Sequence, residues 1–455
     1  MNDTAFMKRS DIEAIADHAL SRALRLGASG ADLAYSASCG SSLSLLDGEI
    51  EECSSGVSAR IGVRTIISDG RQGIASGGRL DAASVDALVE WSLHNALASE
   101  PEEGVMLYDG PFVSDPELDV EDLAIRGIKH EDRMRYCLEM TETARGKDSR
   151  VRSVREAGYG NGWGESFFAN TNGLSGWESC SSASCSVLVL AEEGEFSEMG
   201  GYGKGALRMD EIDTVKIAER AVKDTVSALG GAPVATGAYT VMIEPMAAAA
   251  LVGVIGGLFC ATDVQKGRSM LRGKLGQNVA SSCVSITDDG RIPWKPGTAS
   301  MDCEGVPTQR TELIKNGIAA AFLYDLQSAA KDGVKTTGNC SRGTGSLPDV
   351  GTHNLILDPG RESPEDLQSC IADGIYITEF MGLHTIDSVS GDFSLGAKGL
   401  RIEKGVLTVP VSGITIASNL LDLMKKITAL GSDLTFSGSV AAPTVVIENV
   451  VIAGK

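Results

Sequence analysis

The sequence predicts an α+β protein in which strands occur in blocks, with helices before, between and after the blocks. Segments with apolar residues every three or four positions are typical of amphipathic helices. Between them lie long stretches of short alternating or apolar runs that end at glycine-containing turns, as strands do. Strands and helices do not alternate one by one, as they would in a doubly wound fold. A length of 455 residues is enough for two or three domains.

The composition is that of a folded protein with a mainly aliphatic core. Hydrophobic residues make up 43% and charged residues 22%, which argues against a disordered or fibrous chain. Glycine is frequent, at 54 residues, and aromatic residues are only 5%. The 40 basic and 61 acidic residues give a net charge of −21, with no basic cluster longer than a pair. Nucleic acid is therefore not expected as a ligand, because phosphate binding needs a basic face.

The first helix is predicted by a capping box, Ser10-x-x-Glu13, and by apolar residues at helical spacing up to Gly27. The dipeptides Asp47-Gly48 and Asp69-Gly70 predict hairpin turns. Residues 33–76 should therefore form an antiparallel sheet.

A second helix is predicted at residues 81–98, which completes an N-terminal helix–meander–helix unit. Residues 100–122 contain nine acidic residues and no Lys or Arg, which indicates an extended connection. A middle α+β segment follows. It consists of a helix at residues 129–147, strands to about residue 207 with a turn at Asn172-Gly173, and a helix at residues 210–229.

The C-terminal part is predicted to be strand-rich and barrel-like around a buried helix at residues 246–260. An uncharged stretch at residues 245–262 is near the lower length limit for a membrane span, but a buried helix explains it better. Further signals are a hairpin at Asn316-Gly317 and a helix opened by Ser363-Pro364. A helix is also expected at residues 419–429 and a final strand at residues 444–452. The predicted domains are residues 1–110, 111–232 and 233–455.

The cellular location is expected to be the cytoplasm. The first residues contain no apolar stretch of the kind found in a secretory signal, and ten cysteines are scattered along the chain, as free thiols are in a reducing compartment. No membrane association is expected.

No catalytic or metal motif emerges from the residues themselves. The chain contains no His-x-x-x-His or Cys-x-x-Cys pair, and His130-Glu131 lacks the second histidine of a zincin helix. Cys180 and Cys185 should point to opposite faces of a strand. There is no Gly-x-Ser-x-Gly elbow. The glycine-rich segments at residues 160–164 and 200–205 lack phosphate-loop spacing and are predicted to be turns or mobile loops.

One C-terminal segment is a candidate groove for a peptide or a partner chain. Its small residues and glycines would let another backbone approach closely. A bulged hairpin in a barrel-like sheet is an equally good interpretation. The candidate residues are His384, Gly391, Asp392, Phe393 and Ser394.

Several longer motifs together resemble the TldD/PmbA family, the modulators of DNA gyrase, and more closely its PmbA (TldE) branch. The resemblance covers nearly the whole chain. The N-terminal motifs are Leu45-x-Asp47-Gly48-x-Ile50-Glu51, Gly62-Val63-Arg64 and Asp69-Gly70-Arg71-x-Gly73. The C-terminal motifs are Glu304-Gly305-Val306-Pro307-Thr308, Leu313-Ile314-x-Asn316-Gly317, Thr337-Gly338-Asn339, Ser390-Gly391-Asp392-Phe393-Ser394-x-Gly396-Ala397 and Pro410-Val411-x-x-Ile414-Thr415-Ile416-Ala417-x-Asn419-Leu420.

The resemblance implies an α+β fold and a two-subunit peptidase. In such a peptidase the TldD-type chain holds zinc through His-Glu-x-x-x-His on a helix and a distant cysteine. In this chain Gly253 and Leu258 occupy the histidine positions and Val254 the glutamate position, and the tail at residues 437–439 has no cysteine. No catalytic or metal-binding residue is therefore expected here, and zinc is expected in a TldD-type partner.

The expected function is a non-catalytic TldE/PmbA-like subunit that acts on peptides together with that partner. The expected assembly is a heterodimer with the TldD-type chain or a homodimer. Two alternatives stay open at this point. One is a stand-alone homodimeric peptidase with a non-standard site, and the other is a regulator of DNA gyrase that acts by protein contact.

Overall fold

The computed structural model describes residues 6–118 and 120–455; the side chain of Pro116 is also outside the description. The predicted N-terminal unit and the predicted connection at residues 100–122 therefore each include residues outside these ranges. The N-terminal half contains these helices and strands: α1 (Arg9–Arg25), β1 (Gly30–Leu46), β2 (Glu49–Ile66), β3 (Gln72–Gly77), α2 (Ala82–Ala98), α3 (Leu123–Arg126), α4 (His130–Lys147), β4 (Val151–Asn170), β5 (Ser175–Glu193), β6 (Phe196–Ala206) and α5 (Thr214–Ser227).

The C-terminal half is richer in short elements. They are β7 (Gly237–Ile243), α6 (Pro245–Gly257), α7 (Ala261–Gln265), β8 (Ile286–Asp289), β9 (Arg310–Lys315), β10 (Ile318–Ala319), α8 (Leu326–Asp332), β11 (Cys340–Ser341), β12 (Asp349–Val350), β13 (Asn354–Leu357), α9 (Pro364–Ser369), β14 (Asp373–Met381), β15 (Asp392–Glu403), β16 (Val406–Asn419), α10 (Leu420–Lys425), β17 (Ile427–Leu430), β18 (Thr435–Ser437), β19 (Val440–Ala442) and β20 (Val445–Ala453).

One antiparallel sheet spans the N-terminal half, in the order β3-β2-β1-β4-β5-β6. Among the described residues, helices pack on one of its faces: α1 and α2 on one part, and α4 and α5 on another. Alternate residues of β1, such as Leu33, Tyr35 and Ala37, point into this helical layer and are buried. The pairing of β1 with β4 joins residues on the two sides of the predicted division at residue 110.

The C-terminal half contains a closed barrel and a second sheet. Strands β16, β15, β14, β7 and β20 form the barrel, which closes where Thr415 and Ile416 of β16 pair with β20. The second sheet has the order β10-β9-β8-β13-β19-β18. Helix α6 packs between this sheet and β14 of the barrel, within the largest hydrophobic cluster of the described residues. The α+β class, the barrel and the buried helix are therefore confirmed.

Local signals predicted most turns and helix starts. Asp47 and Gly48, with φ of 50° and 93°, form the β1–β2 hairpin, and Asn316-Gly317 joins β9 to β10 in the same way. Ser363 caps α9 with Pro364 in its first turn. In residues 6–118 and 120–455 no helix is long and apolar enough to cross a membrane.

Three predicted helix boundaries were wrong. Helix α1 is capped by Lys8, so Ser10 lies inside its first turn and no capping box forms there. Helix α5 starts at Thr214, because the side chain of Asp213 accepts a hydrogen bond from the Lys216 amide and defines the N-cap. Helix α10 ends at Lys425, because the chain turns directly into β17.

We expect Gly62→Ala to disrupt the contact between the two halves of the chain. A Cβ atom at Gly62 would lie 1.6 Å from the carbonyl oxygen of Thr344, which is a backbone atom and cannot rotate away. Such overpacking should lower the free energy of unfolding by about 3 kcal/mol, as measured by urea denaturation. Gly56→Ala in the same strand is the control, because nothing lies within 4 Å of its Cβ position. Equal stability of the two variants would contradict the close approach.

Candidate functional site

Helix α6 contains the positions at which the resemblance places the zinc motif, and its side chains there have no donor atoms. Gly253 and Val254 are half-buried within the helix, and Leu258 is its C-cap, 3% exposed. Hydrogen and two aliphatic side chains stand where nitrogen and oxygen donors would be required. The residues present do not fit a zinc ion.

Helix α6 lies next to the tail segment in which the resemblance places the distant cysteine of the TldD-type chain. A Cβ atom at Gly253 would lie 3.7 Å from the side chain of Val440, the first residue of β19. Residues 437–439 precede Val440 directly and contain Ser437, Gly438 and Ser439. Among the described residues, no cluster of three or more His, Cys, Asp or Glu side chains is placed to hold a metal ion.

A large cleft opens beside this region, between the N-terminal sheet and the C-terminal half. Two adjoining cavities of about 640 Å³ and about 1040 Å³ share lining residues such as Gly40, Gly162 and Pro296. Gly438 also lines the smaller cavity, so the cleft reaches the segment that touches α6.

The sheet wall of the cleft is made of small residues in rows across the strands. One row runs from Ser54 through Ser42, Gly160 and Ser184 to Gly205, directly paired from β2 to β6. The hydroxyl oxygens of Ser42 and Ser54 lie 2.7 Å apart in one hydrogen bond. Such a face leaves backbone accessible and lets another chain approach closely.

The prediction that the two glycine-rich segments are turns or loops was therefore wrong. Residues 160–164 lie within β4 and residues 200–205 within β6. Glycine weakens an isolated strand because of its backbone entropy. Here Gly160 is paired on both sides, with Ser42 and Ser184, and the long register overrides the local preference.

The candidate groove residues lie on the barrel and are not among those that line the cleft. His384 is exposed in a single 3-10 turn, Asp392 and Ser394 are exposed on β15, and Phe393 is buried in the core. The Asn419 amide donates to the Ser390 carbonyl oxygen (2.8 Å) and to the Asp392 carboxylate (2.9 Å).

These hydrogen bonds tie the loop before β15 to the start of α10. Gly391 has φ of 82° and its carbonyl oxygen accepts from the Leu420 amide. Strand β15 is irregular between Ala397 and Gly399, as in the alternative interpretation of a bulged barrel strand. Peptide or partner binding at this segment stays a prediction.

None of the cysteines with a shifted pKa has the environment of an activated nucleophile. Burial raises the pKa of Cys137, Cys185 and Cys260 to about 12, and it also raises the pKa of Cys180 and Cys303. A raised pKa keeps the thiol protonated at neutral pH, and the protonated thiol is not a nucleophile. Cys180 lines the cleft and Cys185 lies in the hydrophobic cluster under the helices, so the two side chains point to opposite faces of β5, as predicted.

A buried charge network joins the two halves next to the cleft, and sequence analysis did not find it. Asp32 of β1 accepts from Arg64 of β2 (Nε to Oδ2, 2.6 Å) and from Arg342 of the C-terminal half (Nη2 to Oδ1, 2.7 Å). Arg64 also reaches Glu304, with 3.4 Å between Nη2 and Oε1. The four side chains are at most 3% exposed.

The carboxylates of this region differ in their ionisation. Burial would raise the pKa of Asp32, but Arg342 and Arg64 hold it below its ordinary value. Burial raises the pKa of Glu304 to about 7 and that of Asp302 to about 6. Asp302 accepts hydrogen bonds from the Glu304, Val306 and Cys340 amides, which fold its segment into a tight loop.

Three family models match successive parts of the chain, each described as a PmbA/TldA metallopeptidase domain. They are domain 1 at residues 31–96, the central domain at residues 124–229 and the C-terminal domain at residues 236–454. This chain belongs to the PmbA/TldD family. Three residues of the motifs that resemble this family have a structural role in the chain. Arg64 and Glu304 are part of the buried network, and the side-chain amide of Asn339 donates to Asp288 at 2.7 Å.

The match to relatives and solved structures extends over nearly the whole length of this chain. The chain is 25% identical over 453 residues to metalloprotease PmbA of Escherichia coli O157:H7, across 98% of each chain. A Thermotoga maritima crystal structure, named as a candidate modulator of a DNA gyrase, has a TM-score of 0.88 and 27% identity. It covers 97% of this chain and 100% of its own. TldE from Thermococcus kodakarensis shares the fold, with a TM-score of 0.86 and 24% identity over 98% of this chain and 100% of its own.

Replacement of Arg64 by Met should destabilise the protein by about 3 kcal/mol, because it removes the cation that lies 2.6 Å from the buried Asp32 carboxylate and leaves that carboxylate with Arg342 alone. The measurement is urea denaturation at neutral pH. Arg60→Met is the matched control, since Arg60 lies on the same strand and is exposed; it should change the stability by less than about 0.5 kcal/mol. A small effect of Arg64→Met would show that the network does not stabilise the fold.

Thiol alkylation of the native protein tests the interpretation of the cysteines. Cys53 and Cys370 are exposed and should be labelled by iodoacetamide, whereas Cys137, Cys185 and Cys260 should react only after denaturant is added. Mass spectrometry of the digested protein assigns the sites. Rapid labelling of one of the three buried thiols would contradict this interpretation and would indicate a reactive cysteine.

Proposed function

We propose that this chain is the TldE/PmbA-like subunit of a cytosolic TldD/TldE-type metallopeptidase and is itself non-catalytic. The observation that carries the proposal is that Gly253, Val254 and Leu258, where the resemblance places the zinc ligands and the base, have no side-chain donor atoms. A zinc peptidase needs protein ligands for the metal and a carboxylate base for its bound water. The chain supplies neither at these positions.

The packing around the helix supports the same conclusion. Leu258 is 3% exposed and belongs to the main hydrophobic cluster, and Val254 packs against that cluster. Gly256 approaches β13 so closely that a Cβ atom would lie 2.3 Å from Leu355. The helix therefore serves as a core element, and a histidine at residue 258 would have to enter an apolar interior.

The cleft is the surface on which a peptide substrate would lie in this proposal. In the smaller cavity its serine and glycine rows present hydroxyl groups and open backbone, which suits contact with the backbone of an extended peptide. Zinc would be held by a TldD-type partner, in a heterodimer with this chain. The net charge of −21 disfavours nucleic acid as a ligand.

Co-expression with a TldD-type chain that carries His-Glu-x-x-x-His tests the proposal. We expect a complex by size-exclusion chromatography, zinc bound in proportion to the partner, and casein hydrolysis that is higher with both chains than with the partner alone. The isolated chain should bind no zinc and cleave no peptide. Replacing the partner's motif glutamate by glutamine should abolish the activity of the complex.

Other outcomes would favour the alternatives. Metal binding and turnover by the isolated chain would indicate a stand-alone homodimeric peptidase. An absence of complex formation, with unchanged partner activity, would contradict the subunit role; binding to purified gyrase instead would favour regulation by protein contact.

A further inference from the structure

Glu304 lies at the boundary between the two halves of the chain, in the segment that also forms one wall of the cleft. Thr298, Ala299 and Ser300 line the larger cavity, and Glu304 follows four residues later. Gly305 presses against Leu174 of the β4–β5 turn, where a Cβ atom would lie 2.2 Å from that side chain. A movement of residues 298–306 away from the N-terminal sheet would therefore widen the cleft and at the same time expose Glu304 to solvent.

The buried arginines do not fully compensate the charge of Glu304. Both give their short hydrogen bonds to Asp32, at 2.6 Å and 2.7 Å, and only the longer 3.4 Å contact from Arg64 reaches Glu304. The second carboxylate oxygen of Glu304 accepts from the Leu326 amide at 3.2 Å. One long ion pair and one amide hydrogen bond offset only part of the free-energy cost of burying the Glu304 carboxylate, which is 2% exposed.

Most of the remaining groups near Glu304 are acidic and make its negative charge less favourable. Asp302 from its own segment and Asp325 at the start of α8 repel the carboxylate. Cys340 of β11 lies within electrostatic range, and Arg342, which follows β11, attracts the carboxylate from the side of Asp32. Gln72 of β3 binds Arg64 at 3.2 Å and brings no charge.

We propose that closure of the two halves on each other takes up a proton at Glu304, so that the halves are held together more firmly below neutral pH than above it. The inference does not depend on the proposed function, since it concerns only the contact between the halves.

The direction follows from the two states of the side chain. In the closed form burial raises the pKa of Glu304 to about 7, whereas after opening the solvated carboxyl returns to its ordinary value of 4.5. Between these values the closed form binds a proton that the open form releases. Closure is therefore favoured as the pH falls through 7 and is weakened as the pH rises through 7. Between about pH 6 and about pH 8 the open fraction should rise about tenfold.

Hydrogen–deuterium exchange of the full-length protein at these two pH values tests the proposal, after correction for the intrinsic exchange rates. Peptides that cover residues 62–66 and 298–308 should open about tenfold more at the higher pH. Glu304→Gln, a neutral side chain of the same shape, should remove this difference and keep the protection seen at the lower pH. Glu312→Gln on β9, 40% exposed, is the control and should keep the wild-type difference.

Exchange that is independent of pH in the wild-type protein would overturn the proposal. So would a Glu304→Gln variant that retains the tenfold difference, or one that is less protected than wild type at the lower pH. If Glu304→Gln does not fold, Asp302→Asn decides. Because Asp302 raises the pKa of Glu304, its neutralisation should move the midpoint of the pH dependence to a lower value, and an unchanged midpoint would overturn the proposal.

Discussion

The carboxylate of Asp32, shared by two arginines from opposite halves of the chain, is the contact on which the arrangement of this protein depends. It is 1% exposed and lies between Arg64 on the N-terminal sheet and Arg342 on the C-terminal half. Charges this deeply buried are tolerated only when they are paired, so the two halves can meet in only a narrow set of positions. Phe168, stacked under the Arg342 guanidinium at 5.3 Å, and Gly62, pressed against the Thr344 carbonyl, have the same effect.

The cleft follows from that contact. With the halves held at the network, the face of the N-terminal sheet that lacks helices lies opposite Pro296 and Gly438. Because the part of that face that lines the smaller cavity is mostly serine and glycine, it does not fill the space against the C-terminal half, and a cavity is left between them. The same small residues that weaken strands locally thus create the concave surface that a peptide could occupy.

The position of helix α6 is explained by its packing alone. It is embedded between the second sheet and the barrel, and its removal would empty the centre of the C-terminal half. Packing is therefore sufficient reason for the helix to persist, whereas nothing in its packing requires donors at Gly253, Val254 or Leu258. Gly253 lies against Val440, so the helix also contacts the first residue of β19.

The sequence by itself determined what depends on neighbouring residues. Asp47-Gly48 and Asn316-Gly317 produced hairpins because only a few residue types accept their positive φ, and Ser363-Pro364 started a helix. The uncharged stretch around α6 was buried, and long motifs identified the family. Tertiary structure alone decided what depends on distant partners. Residues 160–164 form a strand because both neighbouring strands pair with them. Asp32 meets Arg64 and Arg342, and Arg64 meets Glu304, only after folding. Partners separated by up to 310 positions have no local sequence signal, because their energy arises only once the halves meet.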